Sequence, residues 1–161
     1  MDLTDMAEET LTSERCSAGP TSRHNGDTEV AKKILIVDDD EAIQRFYSPV
    51  LESHGYEVLV AENGQHGLKM VYRERPDLII SDLDMPKMNG YEFCKIVRLS
   101  VDVPFLMISG SGQQVEKMLV VKLLGSAIEC FLTKPIDIPV LLEEVAAALD
   151  KDRIEGVPAL H

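Results

Sequence analysis

Short runs of branched apolar residues, each followed by a longer amphipathic stretch, recur along this chain and limit the folds open to it. Ile34-Leu35-Ile36-Val37, Leu78-Ile79-Ile80 and Phe105-Leu106-Met107-Ile108 contain no polar residue. A strand with one wet face alternates apolar and polar side chains, so unbroken runs this short fit strands covered on both faces, as in parallel sheets. Parallel neighbours need crossovers of a dozen residues or more, which the intervening stretches supply. Asp38-Asp39-Asp40-Glu41 opens a helix with Ile43, Phe46, Tyr47, Val50 and Leu51 on one stripe, closed by His54-Gly55. Pro49 lies within that stripe and should kink or divide the helix. A second strand follows at 56–60, then a helix capped by Asn63 from Gly64 to about Arg75, with Leu68, Val71 and Tyr72 inward. The third strand spans 78–82, and Asn89 caps a third helix with Phe93, Ile96 and Val97 inward. A fourth strand at 103–108, a helix over 114–124, a short strand at 130–133 and a last helix capped by Asp137 complete the pattern. Five βα units predict an α/β fold: a parallel sheet with helices on both faces and right-handed crossovers.

The flanks read differently. Residues 1–31 carry seven acidic residues against two Arg, with Ser, Thr, Gly and Pro and no sustained apolar period, which predicts a disordered arm. Residues 32–150 form the expected folded domain, and 151–161 a polar tail. The N-terminus lacks a basic segment followed by an apolar one, and no window is apolar enough to span a bilayer; no membrane insertion is expected. Cys16, Cys94 and Cys130 are odd in number and widely spaced, which suits a reducing, cytoplasmic setting rather than a disulfide framework or a zinc site. The net charge of −12 argues against a nucleic-acid partner and is compatible with cation binding.

The acidic residues gather where chemistry is expected. Ile79-Ile80-Ser81-Asp82 ends an apolar strand in a carboxylate, and Pro86, Asn89 and Gly90 then force a loop. In open α/β sheets ligands bind at this carboxyl edge. Asp38 and Asp39 end the first strand in the same way. If the first and third strands are neighbours, Asp38, Asp39 and Asp82 converge, and each resists ionisation unless a cation sits among them. Oxygen donors of this kind suit Mg²⁺, or Mn²⁺ in its place. A helix N-terminus also favours negative charge, so the Asp38-Asp39-Asp40 run has a capping role as its alternative reading. Ser109 ends the fourth strand with a hydroxyl able to bond a phosphate oxygen, and Lys134, before Pro135, ends the fifth with an ammonium able to neutralise one.

Taken together, Asp38-Asp39, Asp82-x-x-Met85-Pro86-x-Met88-x-Gly90, Ser109 and Lys134-Pro135 resemble the receiver domain of two-component response regulators, over about residues 32–150. The resemblance implies a flavodoxin-like, doubly wound five-stranded sheet of order 2-1-3-4-5. It implies a phosphorylatable switch, of the single-domain chemotaxis type, whose partner is a sensor histidine kinase or phosphotransfer protein. Asp82 would be the phosphoacceptor. Asp39 and Asp82 would hold Mg²⁺ directly, Asp38 through water, and Asp84 through its backbone carbonyl. Ser109 and Lys134 would hold phosphoryl oxygens, and Phe131 would be the aromatic that reports phosphorylation. The chain departs from the family pattern at two places. Ala127 and Ile128 stand where a Gly-Ala pair is usual, so the end of the fourth helix is expected to run differently, and Gly110 stands where Ala is commonest.

Few residues follow the last predicted helix, so the signal is expected to leave through a protein contact with a downstream target, on the face of helix four, strand five and helix five. Val115, Met118, Leu119, Val120, Val121, Leu123 and Leu124 spread round more than one side of helix four, which should leave some of them exposed. Such a chain is not an enzyme beyond its own phosphorylation and dephosphorylation. Two other readings stand beside this one. Asp82-Leu83-Asp84 also resembles the nucleophile motif of haloacid-dehalogenase-type phosphatases, although Asp38-Asp39 lies upstream where those enzymes carry their acidic pair downstream. The third is a receiver fold used only for docking, without phosphorylation.

Overall fold

The computed structural model of the protein describes residues 30–110, 112 and 114–155. Five strands, β1 (Lys33–Val37), β2 (Glu57–Ala61), β3 (Leu78–Asp82), β4 (Phe105–Ser109) and β5 (Cys130–Thr133), alternate with helices α1 (Glu41–Ser53), α2 (Gly64–Glu74), α3 (Gly90–Ser100), α4 (Gln114–Leu124) and α5 (Ile138–Glu155). The strands form one sheet of order β2-β1-β3-β4-β5, parallel at every pairing. The expected arm lies outside the described residues except for its last two, as does Cys16. Helix α5 runs on to Glu155, so of the expected tail only 156–161 falls outside them.

The period of two along each strand divides the core. Leu35, Val37, Ile79, Phe105 and Met107 face one side, where α2, α3 and α4 add Met70, Val71, Phe93, Cys94, Val97 and Val120. Ile34, Ile36, Leu78, Ile80, Leu106 and Ile108 face the other, covered by Tyr47 and Leu51 of α1 and Leu141, Val145, Ala148 and Leu149 of α5. These runs are apolar throughout because both faces of the sheet are roofed. Asn63 and Asn89 cap α2 and α3 as expected, accepting from the backbone N–H of His66 and of Glu92. At α3 the Glu92 side chain reaches back to the Asn89 N–H, closing a capping box.

Several details differ from the sequence reading. Helix α1 passes through Pro49 undivided. Phe46 is exposed rather than inward: it lies about 100° round the helix from the buried Tyr47, and its ring meets that ring edge-on, 5.1 Å between centroids. Tyr72 is also exposed, its hydroxyl 3.1 Å from Ser100 Oγ at the rim between α2 and α3. Ile96 and Val50 are half-buried. Strand β4 starts at Phe105 rather than 103, because Pro104 has no N–H for the ladder and contributes only its carbonyl, which accepts from Ile79. Strand β2 is displaced by one residue, to 57–61.

Candidate functional site

Parallel strands end on the same edge, and that edge collects the polar residues. Val37 pairs with Ser81 and Asp82 with Ile108, so Asp38 and Asp82 emerge side by side from adjacent β1 and β3. Ser109 pairs with Thr133, which puts Lys134 just beyond, and the Lys134 N–H donates to the Ser109 carbonyl at 2.8 Å. The Lys134–Pro135 peptide is cis.

Only one residue of the acidic run serves as a helix cap. Asp40 accepts from Ala42 N–H through its side chain, whereas Asp38 Oδ1 accepts from the Asp40 N–H at 2.9 Å and Asp39 takes no part in the cap. One carboxylate oxygen each of Asp38, Asp39 and Asp82 lies within 4.8 Å of the others, an arrangement that could hold a metal ion. The donors are all oxygen, two buried and one exposed, which fits a hard cation that keeps part of its water. Lys134 Nζ stands 3.1 Å from Asp38 Oδ2 and 3.5 Å from Asp82 Oδ1.

The charges do not balance locally, since three carboxylates face one ammonium. Burial pushes the Asp82 carboxyl up to about 6, with the Asp38 charge adding to it and Lys134 opposing. Asp38 is raised as well, chiefly by burial, against the pull of the Asp40 N–H and Lys134. Burial alone would lower the Lys134 ammonium, yet Asp82 and Asp38 together lift it above its ordinary value. A cation among these groups would relieve the repulsion that lifts Asp82.

The remaining expected residues surround this cluster. Ser109 is fully buried, and among the described residues its hydroxyl has no hydrogen-bond partner. A buried hydroxyl with no partner costs about 1–3 kcal/mol, which suits a group whose acceptor arrives with a ligand. Asp84 lies exposed in the loop after β3, at an open cleft of about 310 Å³ that Tyr91, Leu119 and Leu123 also line. Phe131 is half-buried on β5, paired with Met107, with Lys117 Nζ 5.1 Å from its ring centroid. The structure thus brings Asp38, Asp39, Asp82 and Lys134 into contact range, with Ser109 beside them and Asp84 and Phe131 further out.

Three residues near the site have roles that the sequence reading did not give them. Gln44 donates through Nε2 to the carbonyls of Asp38, at 2.7 Å, and Ala61, at 3.3 Å, tying the ends of β1 and β2 and fixing the backbone that carries Asp38. Nothing local marks it, because both carbonyls meet only in the folded sheet. Gly90 packs so closely on the β3 end that a Cβ there would strike the Asp82 carbonyl oxygen and come within 2.8 Å of Met107 Sδ. Its place in the motif was legible, this reason for it was not. Lys117, on α4, donates to Thr133 Oγ1 at 2.8 Å.

Known proteins resemble this chain in sequence and in fold. The family described as the response regulator receiver domain matches residues 34–146. The alkaline phosphatase synthesis transcriptional regulatory protein PhoP of Bacillus subtilis is 36% identical over 124 residues, 76% of this chain and 50% of that protein. The DNA-binding dual master transcriptional regulator RpaA of Synechocystis is 38% identical over 126 residues, 76% of this chain and 51% of that protein. The chain thus spans about half the length of these curated relatives. Among solved structures, the chemotaxis protein CheY4 of Vibrio cholerae superposes with a TM-score of 0.67 at 34% identity, covering 74% of this chain and 99% of that one. The signal receiver domain of a LuxO repressor protein from Vibrio parahaemolyticus gives 0.72 at 26% identity, covering 82% and 100%.

Proposed function

Because the chain belongs to the response regulator receiver domain family, whose members are signalling switches of two-component systems, we propose that Asp82 accepts a phosphoryl group from the phosphohistidine of a sensor histidine kinase or phosphotransfer protein. The observation that carries this reading is the convergence of Asp38, Asp39 and Asp82 with the Lys134 ammonium at one strand edge.

In the proposed reaction a carboxylate oxygen of Asp82 attacks phosphorus, the bond from phosphorus to the donor imidazole nitrogen breaks, and the imidazole leaves with that electron pair. With a carboxyl near 6, Asp82 is mostly ionised above neutrality and able to attack. Lys134, already 3.5 Å from Asp82 Oδ1, moves its ammonium from the carboxylate pair to a phosphoryl oxygen. The Ser109 hydroxyl, buried and without a partner among the described residues, donates to another. Mg²⁺ or Mn²⁺ held by Asp39 and Asp82, by Asp38 through water, and by the Asp84 carbonyl would supply charge neutralisation at the phosphoryl oxygens. Phosphoryl transfer depends mainly on such positioning and neutralisation, and this edge would provide both with a cation bound.

The output is proposed to be a contact with a downstream protein on the face of α4, β5 and α5. Met118 (73% exposed), Leu119 (53%) and Leu123 (58%) give α4 an apolar surface, Leu119 and Leu123 at the cleft shared with Tyr91 of α3, and Val140 of α5 is exposed as well. A cytoplasmic setting fits a kinase partner; among the described residues no helix is long and apolar enough to cross a membrane.

Turnover separates this reading from a haloacid-dehalogenase-type phosphatase that uses Asp82 and Asp84. Incubated with a small phosphate donor and Mg²⁺, a switch takes up at most one phosphoryl group per chain and leaves ordinary phosphate esters intact. Sustained hydrolysis of a phosphate monoester over many turnovers would contradict the switch. No labelling under any donor would leave only the docking reading.

A further inference from the structure

Among the side chains of α4 with described surroundings, Val120 and Leu124 pack against the core. Only Val120 is buried, while Met118, Leu119, Val121 and Leu123 are exposed. One polar group adds a second hold. Lys117 Nζ donates to Thr133 Oγ1 at 2.8 Å and stands 5.1 Å from the Phe131 ring centroid, within cation–π range. Thr133 and Phe131 are two apart on β5 and share a face, so a single ammonium grips both. Thr133 sits next to Ser109 across the ladder and directly precedes Lys134. The Lys117 bridge therefore ends one residue from the cation that pairs with Asp38 and Asp82.

We propose that Lys117 is a positioning residue of the switch: its ammonium pins α4 to Thr133 and Phe131 in the resting state, and the rearrangement that carries the signal has to break this bridge. The inference deepens the proposed function and rests on Phe131 as the responding aromatic. Losing a hydrogen bond and a partly exposed cation–π contact should raise the population of the rearranged state about three- to tenfold. Lys117→Met keeps the length and apolar stem of the side chain but removes the charge and the donor.

The test uses the full chain labelled with 4-fluorophenylalanine. Its four Phe give four resonances, and Phe131→Leu assigns the one that matters. In the unphosphorylated protein, Lys117→Met should move the Phe131 resonance toward its position in the phosphorylated wild type and speed hydrogen exchange of α4 amides by about three- to tenfold. Lys117→Arg, which retains charge and donors, should restore both. If Lys117→Met lowers the urea midpoint but leaves the Phe131 resonance and α4 exchange unchanged, Lys117 only stabilises the fold and the proposal is overturned. Wild-type behaviour of Lys117→Met in every readout overturns it as well. A failure of the phosphorylation reading is recognised separately, by intact mass showing no adduct on wild type. In that event α4 exchange and the Phe131 line in Lys117→Met against wild type and Lys117→Arg still decide whether the bridge holds the resting state.

Discussion

Replacing Asp82 with Asn should make the metal-free protein more stable, by an amount that depends on pH in a specified direction. Asp82 is 6% exposed and its carboxyl is pushed from 3.8 to about 6, first by burial and then by Asp38. A difference of that size corresponds to about 3 kcal/mol of preference for the neutral form. The folded state holds its proton up to about pH 6 whereas the unfolded chain releases it near 4, so the wild type loses stability as pH rises through that window. Below pH 4 the carboxyl is neutral in both states and Asn confers no electrostatic advantage. Above pH 7 the variant should be ahead by about 1–3 kcal/mol, the upper figure being a ceiling because the Asn amide must find partners of its own. Asp38 lies close enough to titrate with Asp82, so the observed midpoint belongs to the pair. Urea unfolding of both proteins in EDTA, at constant ionic strength from pH 4 to 8, measures the difference. Magnesium at about ten times its Kd should then raise the wild type by about 1.4 kcal/mol and the variant far less. A difference that does not change with pH, or an Asn variant less stable at pH 8, would refute the account of Asp82 as a buried, repelled carboxylate.

Four further outcomes are expected. Asp39→Asn should abolish the Mg²⁺-dependent chemical-shift changes at the strand edge, since Asp39 is the exposed member of the cluster; an unchanged titration removes it from the site. Lys134→Ala leaves two buried carboxylates without their ammonium, so the metal-free protein should lose about 1–3 kcal/mol at pH 8 and, with Mg²⁺ present, take up phosphoryl more slowly; labelling at the wild-type rate would exclude Lys134 as a phosphate partner. Gly90→Ala should destabilise by about 2 kcal/mol or more, because its Cβ meets the Asp82 carbonyl and Met107 Sδ; urea midpoints decide. A chain beginning at Ala31 should unfold cooperatively within about 1 kcal/mol of the full chain, and a loss of several kcal/mol would show that the arm supports the domain.

What the sequence made legible was local. Ile34 to Val37 and Leu78 to Ile80 announced doubly covered strands, and Asn63 and Asn89 announced helix starts through side chains that bond within three residues. The meeting of Asp38, Asp39, Asp82, Ser109 and Lys134 at one edge was legible because parallel strands deliver their last residues to one edge, so position along the chain implies position in space. The strand order came from resemblance, since five interchangeable apolar runs do not fix which lie side by side. Phe46 and Tyr72 were misplaced because an apolar stripe does not show how wide a face its neighbours cover. The departure at Ala127 and Ile128 proved informative: α4 gives way to a single 3₁₀ turn over Gly125–Ala127, with Gly125 at φ +53°, and Arg98 of α3 donates through Nε and Nη2 to the Ala127 carbonyl. That tether, like Gln44 and Lys117, joins residues far apart in sequence and has no local signature.

The central claim, that Asp82 is a phosphoacceptor served by a metal and Lys134, is tested most directly by intact and peptide mass after incubation with acetyl phosphate and Mg²⁺. The account predicts one hydroxylamine-labile phosphoryl group per wild-type chain, located at Asp82, absent when EDTA replaces Mg²⁺ and absent from Asp82→Asn. A phosphoryl group found on another residue, or carried equally by Asp82→Asn, would contradict it.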